Sequence, residues 1–169
     1  MLIFLTGFMG SGKTKLGKQL AKQLNFSFTD TDSAIELLTG KSIQQIFDEH
    51  NENFFRQKEK DILHSFKDKS NLVIATGGGL PCFNDNMTWM NKNGLTVYLK
   101  LHHGVLFHRL LHDRSKRPLL ANLDDIGLME FIVEKLPERE FYYNQSKVTV
   151  NAFSLSEKDL YQTVSSIIY

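Results

Sequence analysis

Gly7-Phe8-Met9-Gly10-Ser11-Gly12-Lys13-Thr14 is a complete G-x-x-x-x-G-K-[ST] run, and its two flanks decide the fold. Ahead of it, Leu2-Ile3-Phe4-Leu5-Thr6 is an apolar stretch of strand length. Behind it, Leu16, Leu20 and Leu24 recur at fourfold spacing, so Lys13 to Gln23 reads as an amphipathic helix. In a strand–glycine loop–helix setting, successive backbone N–H groups fold around a phosphate chain and the helix N-terminus adds a favourable partial charge. On that reading Gly10, Ser11 and Gly12 bring amides to the phosphates, Lys13 neutralises the β and γ groups of a nucleotide, and the Thr14 hydroxyl ligates Mg²⁺.

Working outward, the short β-rich runs Phe26–Thr29, Leu72–Thr76, Leu95–Lys100 and Lys147–Val150 alternate with longer helical patterns. That alternation predicts an α/β fold, a parallel sheet with helices on both faces. Thr39-Gly40 looks like the stop of a helix holding Ile35 and Leu38, and Ser42 with Gln45 makes a capping box ahead of Ile43, Ile46 and Phe47. Further helical patterns run over about Asn53 to Lys67, Val105 to Leu111, Leu128 to Tyr143 and Leu155 to Ile168. Asp113 to Asn122 is polar and basic without periodicity and reads as a mobile loop, a lid over the site. With neither internal repeat nor linker, residues 1–169 read as one domain, the helices over about 33–67 framing the substrate.

The composition bounds the partners. Lys plus Arg number 20 against 19 Asp plus Glu, a net charge of +1, which removes a whole-molecule electrostatic case for nucleic acid or acidic membranes. Any anion site is therefore local. A single cysteine, Cys82, forms no internal disulfide and fits a reducing compartment. The apolar opening has no basic leader and ends at Thr6-Gly7, too short for a signal segment, so a cytoplasmic protein is expected, and separately it is taken as a monomer. His108 and His112 lie i, i+4 on a helix without the glutamate or cysteines of a zinc site, and no basic neighbour marks Cys82 as a nucleophile.

Asp30 and Asp32 stand at the end of the second strand pattern. Carboxylates at i and i+2 of an extended chain share a side, and at a strand's C-terminal end they face the ligand crevice. One could hold a Mg²⁺-bound water while the other accepts a proton from an attacking hydroxyl; a helix cap beside a solvated acid is the alternative. Gly77-Gly78-Gly79 follows the third strand pattern and lets a bound molecule lie against backbone N–H groups. The chain's arginines are only Arg56, Arg109, Arg114, Arg117 and Arg139. A planar fork matched to carboxylate or phosphate is what the abundant lysines cannot supply, so these few are suspects for anion recognition. Arg114-Ser115-Lys116-Arg117-Pro118 falls within the unperiodic loop, as a basic lid would.

Gly7 to Thr14, Phe28-x-Asp30-x-Asp32, Phe55-Arg56 leading to Glu59, Gly77-Gly78-Gly79 and Arg117-Pro118-Leu119-Leu120, taken in order, resemble shikimate kinase over nearly the whole chain. The resemblance implies a three-layer sandwich around a five-stranded parallel sheet of order 2-3-1-4-5, and transfer of the ATP γ-phosphoryl group to the 3-hydroxyl of shikimate. It implies that Asp32 binds the shikimate hydroxyls as base or positioner, and that Asp30 lies near Mg²⁺. Arg56 and Arg139 would clamp the carboxylate, with Gly77, Gly78 and Gly79 lining the substrate, and Arg117 would bridge both substrates. The arginine against adenine is implied to be Arg109, with Arg114 the alternative. The family usually shows Arg-x-Pro-x-Tyr where this chain has Arg139-Glu140-Phe141-Tyr142-Tyr143, so the arginine and tyrosine stand and the proline is gone.

Another small-molecule kinase, for gluconate or a nucleotide, shares everything up to Asp32, and Arg56, the glycine triplet and Arg139 separate it. A non-catalytic nucleotide switch is a further alternative. For a guanine reader, Asn91-Lys92-Asn93-Gly94 fails at its last position.

Overall fold

In the computed structural model, residues 1–114 and 119–169 are described. The first strand, β1 (Leu2–Thr6), is buried along its whole length. Its successive side chains point to opposite faces, so Ile3 and Leu5 feed one core while Leu2 and Phe4 feed another. A strand with both faces covered reads as an unbroken apolar run rather than an alternating one. Four more strands join it in one parallel sheet: β2 (Ser27–Asp30), β3 (Leu72–Ala75), β4 (Leu95–Lys100) and β5 (Val148–Asn151), in the order β2-β3-β1-β4-β5. This is the expected sheet.

On one face Leu20, Ala21 and Leu24 of α1 (Lys13–Leu24), Leu106 and Leu110 of α6 (His103–Leu111), and Leu160 and Val164 of α8 (Glu157–Ile168) pack against Ile3, Leu5, Val97 and Leu99. The other face is covered from α2 (Thr31–Thr39), α3 (Ile43–Glu49), α4 (Glu52–His64) and α5 (Asn86–Asn93), through Ile35, Ile46, Ile62, Leu63, Met87 and Met90. The long α7 (Asp125–Tyr143) touches α6 and the 3₁₀ turn Leu80–Cys82. Gly40 closes α2 in the left-handed conformation, and Ser42 and Gln45 make both bonds of the capping box that opens α3.

Several boundaries differ from the sequence reading. β2 runs one residue further, to Asp30; β3 stops at Ala75; β5 spans Val148–Asn151; α4 ends at His64, three residues before Lys67. Helix α7 starts at Asp125, because the Asp124 side chain accepts from the Gly127 N–H and caps it ahead of the first inward leucine. α5 has no counterpart in the sequence reading. Its asparagines, threonine and tryptophan are weak helix formers, and buried Met87 and Met90 hold it in place. In the stretch expected to be a loop, Leu120 is fully buried in the core.

Candidate active site

The ends of β1, β2 and β3 and residues of α1, α2, α3, α4, α6 and α7 border two adjoining cavities. The first, about 510 Å³, opens over the glycine loop and is bordered by Gly10, Lys13, Thr14, Asp30 and Arg109. Gly10 and Gly12 have φ of +81° and +96°, backbone that a side chain would strain, and Gly12 is the N-cap of α1. The α1 amides and the positive end of its dipole therefore face this cavity with no side chain between. The Lys13 ammonium lies buried inside the loop, donating to the Gly7 and Phe8 carbonyls at 2.8 and 2.9 Å.

Asp30, Thr31 and Asp32 diverge. The strand ends at Asp30 and helix α2 begins at Thr31, so the pair is not the same-side pair of an extended chain. Asp30 accepts from the Thr14 hydroxyl at 2.7 Å through one oxygen, and from the Asp32 N–H at 3.1 Å through the other. It is a helix cap and a neighbour of the phosphate loop at once. Thr31, buried and unremarked in the sequence, accepts from the Gly77 N–H at 2.8 Å and ties the second strand end to the third. Asp32, in the first turn of α2, borders both cavities.

The second cavity, about 430 Å³, is bordered by Asp32, Arg56, Glu59, Gly77–Gly79 and Arg139. Its glycines make room for these side chains. A Cβ at Gly77 would stand 2.5 Å from an Asp32 carboxylate oxygen, one at Gly79 2.6 Å from the Arg56 guanidinium, and one at Gly78 3.3 Å from that of Arg139. The triplet thus serves the protein's own charged groups as well as backbone approach. Arg56, 8% exposed, donates to Glu59 at 2.7 Å and to Glu52 at 2.8 Å, and its guanidinium lies 4.1 Å from the centre of the Phe83 ring. Arg139 lies 5.0 Å from the Phe8 ring, and its Nη1 is buried with no hydrogen-bond partner among the described residues. A buried, unsatisfied guanidinium nitrogen is costly until an anion or acceptor meets it.

Glu59 borders this cavity and was given no role by residue-by-residue reasoning. Only 1% exposed, it faces Arg56 and feels the charge of Asp32. Burial pushes its carboxyl up to about 7, Arg56 pulls it down, and Asp32 adds to the push. Burial works against the Arg56 charge, yet Glu59 and Glu52 outweigh it and hold that guanidinium above its ordinary value. The signal in the sequence was the i, i+3 spacing of Arg56 and Glu59 on one helix, which brings such pairs together.

Of the remaining expectations, Arg109 donates to the Gly10 carbonyl at 3.2 Å and borders both the phosphate cavity and a cleft against Ala152–Lys158. Arg114 instead pairs with Asp125. Arg117 lies outside the described residues, whereas Leu119 and Ala121 from the far end of that segment border the second cavity. Phe141, where the family pattern has proline, is 70% exposed, and α7 runs through it to Tyr143. Burial pushes the Cys82 thiol up to about 11, which suits packing rather than nucleophilic attack.

A phosphate cradle beside a cavity walled by acids and forked cations is matched by known proteins. The family model described as shikimate kinase matches residues 9–168. The shikimate kinase of Bacteroides thetaiotaomicron is 45% identical over 165 residues, covering 98% of this chain and 93% of its own. A crystal structure of shikimate kinase from that organism superposes with a TM-score of 0.91 over 99% of this chain and 98% of the other, at 41% identity. The Acinetobacter baumannii enzyme, solved in complex with shikimate, superposes with a TM-score of 0.89 over 99% and 92%, at 32% identity. With sequence, fold and site in agreement, the chain belongs to the shikimate kinase family.

Proposed function

We infer that this chain transfers the γ-phosphoryl group of ATP to the 3-hydroxyl of shikimate, giving shikimate 3-phosphate for aromatic amino-acid (chorismate) biosynthesis. One observation carries the reading: the two cavities share Met9, Asp32 and Gly78, so a donor over the glycine loop and an acceptor among the arginines meet at a carboxylate.

The roles follow from placement. Gly10, Ser11 and Gly12 direct amides at the phosphates, and Lys13 exchanges loop carbonyls for phosphate oxygens as charge spreads over the transferring group. Asp32 aligns the acceptor hydroxyl and takes its proton. Arg56 and Arg139 hold the carboxylate, with Gly77, Gly78 and Gly79 against the ring. Oxygen donors suit a hard cation, and Thr14 Oγ1 with Asp30 Oδ2, 2.7 Å apart, fit Mg²⁺ beside the phosphate loop. When bound, Mg²⁺ neutralises phosphate charge. Arg109 lies against the adenine, and the segment 113–122, carrying Arg117, closes over both substrates and keeps water out.

Among the described residues no helix is long and apolar enough to cross a membrane, and the near-neutral net charge gives no whole-molecule attraction to nucleic acid; we place the enzyme in the cytoplasm as a monomer. Coupled ADP release decides the substrate. Turnover is expected with shikimate, and little with gluconate or nucleoside monophosphates. Preference for either of the latter, or ADP release indifferent to any acceptor, refutes the reading.

A further inference from the structure

Tyr143 lies at the end of α7, one helical turn after Arg139 and therefore on the same helix face. Its side chain is fully buried, and its hydroxyl donates to the Gly78 carbonyl. The Tyr143 ring packs on the Tyr98 ring with centroids 5.1 Å apart, and the Tyr98 hydroxyl donates to Glu140 at 2.7 Å. Glu140 in turn lies 3.7 Å from the Lys100 ammonium. A chain of contacts thus runs from the end of β4, through the last turn of α7, to the glycine triplet.

We propose that Tyr143 is a positioning residue for the acceptor: its bond to the Gly78 carbonyl sets the Gly78–Gly79 peptide against which shikimate lies. The peptide unit is planar, and no cis bond occurs among the described residues, so fixing the Gly78 carbonyl fixes the Gly79 N–H in the opposite direction. That N–H makes no backbone–backbone hydrogen bond among the described residues. Gly79 itself is buried, borders the acceptor cavity and has the Arg56 guanidinium against its α-carbon. A rotation of this peptide would move an amide donor and the floor under Arg56 together. Burial pushes the Tyr143 phenol far above its ordinary value, against the pull of Arg139, so the hydroxyl remains a proton donor at neutral pH. The same helical turn carries Arg139, whose Nη1 lies over Gly78, so one element sets both the peptide and one of the cations beside it.

The proposal rests on the acceptor reading above, and the test separates the two. In Tyr143→Phe the ring stays, and the hydroxyl's bond to the Gly78 carbonyl goes together with its contact to Arg139. The KM for shikimate is expected to rise about tenfold, the worth of one buried hydrogen bond. The KM for ATP is expected to stay within about twofold, since the phosphate loop keeps its contacts. A smaller rise of about threefold is expected for Tyr98→Phe, which frees the neighbouring ring from Glu140 and serves as the measurement if the first variant does not fold. An unchanged shikimate KM, or equal rises in both KM values with a lowered Tm, overturns the positioning role. Arg139→Ala is run alongside. If it leaves the shikimate KM unchanged, the carboxylate assignment of Arg139 falls, while Tyr143→Phe still decides the peptide.

Discussion

The two halves of the site are built by opposite means. The phosphate side comes from eight consecutive residues and uses mostly backbone: three glycines at positive φ, the amides of one helix start and a single lysine folded into its own loop. On the acceptor side the contributors come from α2, α4, the β3 end and α7, and they act through side chains that lean on one another. A polyphosphate is recognised by charge and repeated oxygens, which amides supply without regard to what else the molecule carries. A ring with hydroxyls and one carboxylate needs donors and acceptors at separate, fixed points, and only distant segments brought together by a fold can place them. Damage to the first half should therefore stop chemistry outright, and damage to the second should fall on acceptor binding.

The largest break is Lys13→Ala. Turnover is expected to fall by roughly a thousandfold or more, the scale of losing a fixed charge on a transferring phosphoryl group. A wild-type kcat in that variant defeats the phosphate-loop assignment. Next comes Arg56→Ala, which removes a forked cation and also leaves Glu59 buried without its partner. Steady-state kinetics should show the shikimate KM up by roughly a hundredfold and the ATP KM nearly unmoved. Denaturant melts should show a loss of about 3 kcal/mol or more, as expected when one member of a buried pair goes. Equal damage to both KM values would erase the division between the halves.

Gly79→Ala sharpens the comparison at smaller scale. Its new methyl would stand 2.6 Å from the Arg56 guanidinium, so that side chain must move, and the shikimate KM should rise by roughly tenfold with the ATP KM steady. The mildest test is a pH series of Tm. Because burial raises the Glu59 carboxyl to about 7 in the folded chain from an ordinary value of 4.5, folding favours its protonated form. Its contribution to stability is complete below pH 4.5 and is lost as pH rises through 7. Glu59→Gln should flatten that portion of the curve, a difference of about 3–6 °C across the window. A Gln variant with the same slope would show that other groups govern it.

Much of this was legible in the chain itself, for physical reasons that also explain what was not. The strand order came from the family resemblance alone, the strands themselves from five apolar runs, and the phosphate loop is legible because its spacing is local. Asp30 and Asp32 were found, but their directions depend on a helix beginning between them, and a strand-end rule places both on one side. The glycine triplet was located and only half understood. The crowding of Asp32, Arg56 and Arg139 against it is a tertiary fact that no neighbouring residue announces. Glu59 sat in the quoted pattern without a role, since its importance comes from burial, and α5 escaped because its helicity is imposed by packing.

Parallel neighbours in a sheet stand about 4.8 Å apart, and β1 and β3 are such neighbours. The loops leaving them, the glycine loop and the Gly77–Gly79 triplet, share a separation that no substitution outside the sheet can stretch. Any widening of the pocket for a bulkier alcohol must come from the opposite wall, where α2, α3, α4 and the turn at Leu119–Ala121 stand. Redesign of this enzyme toward other acceptors should begin at that wall and leave the strand ends alone.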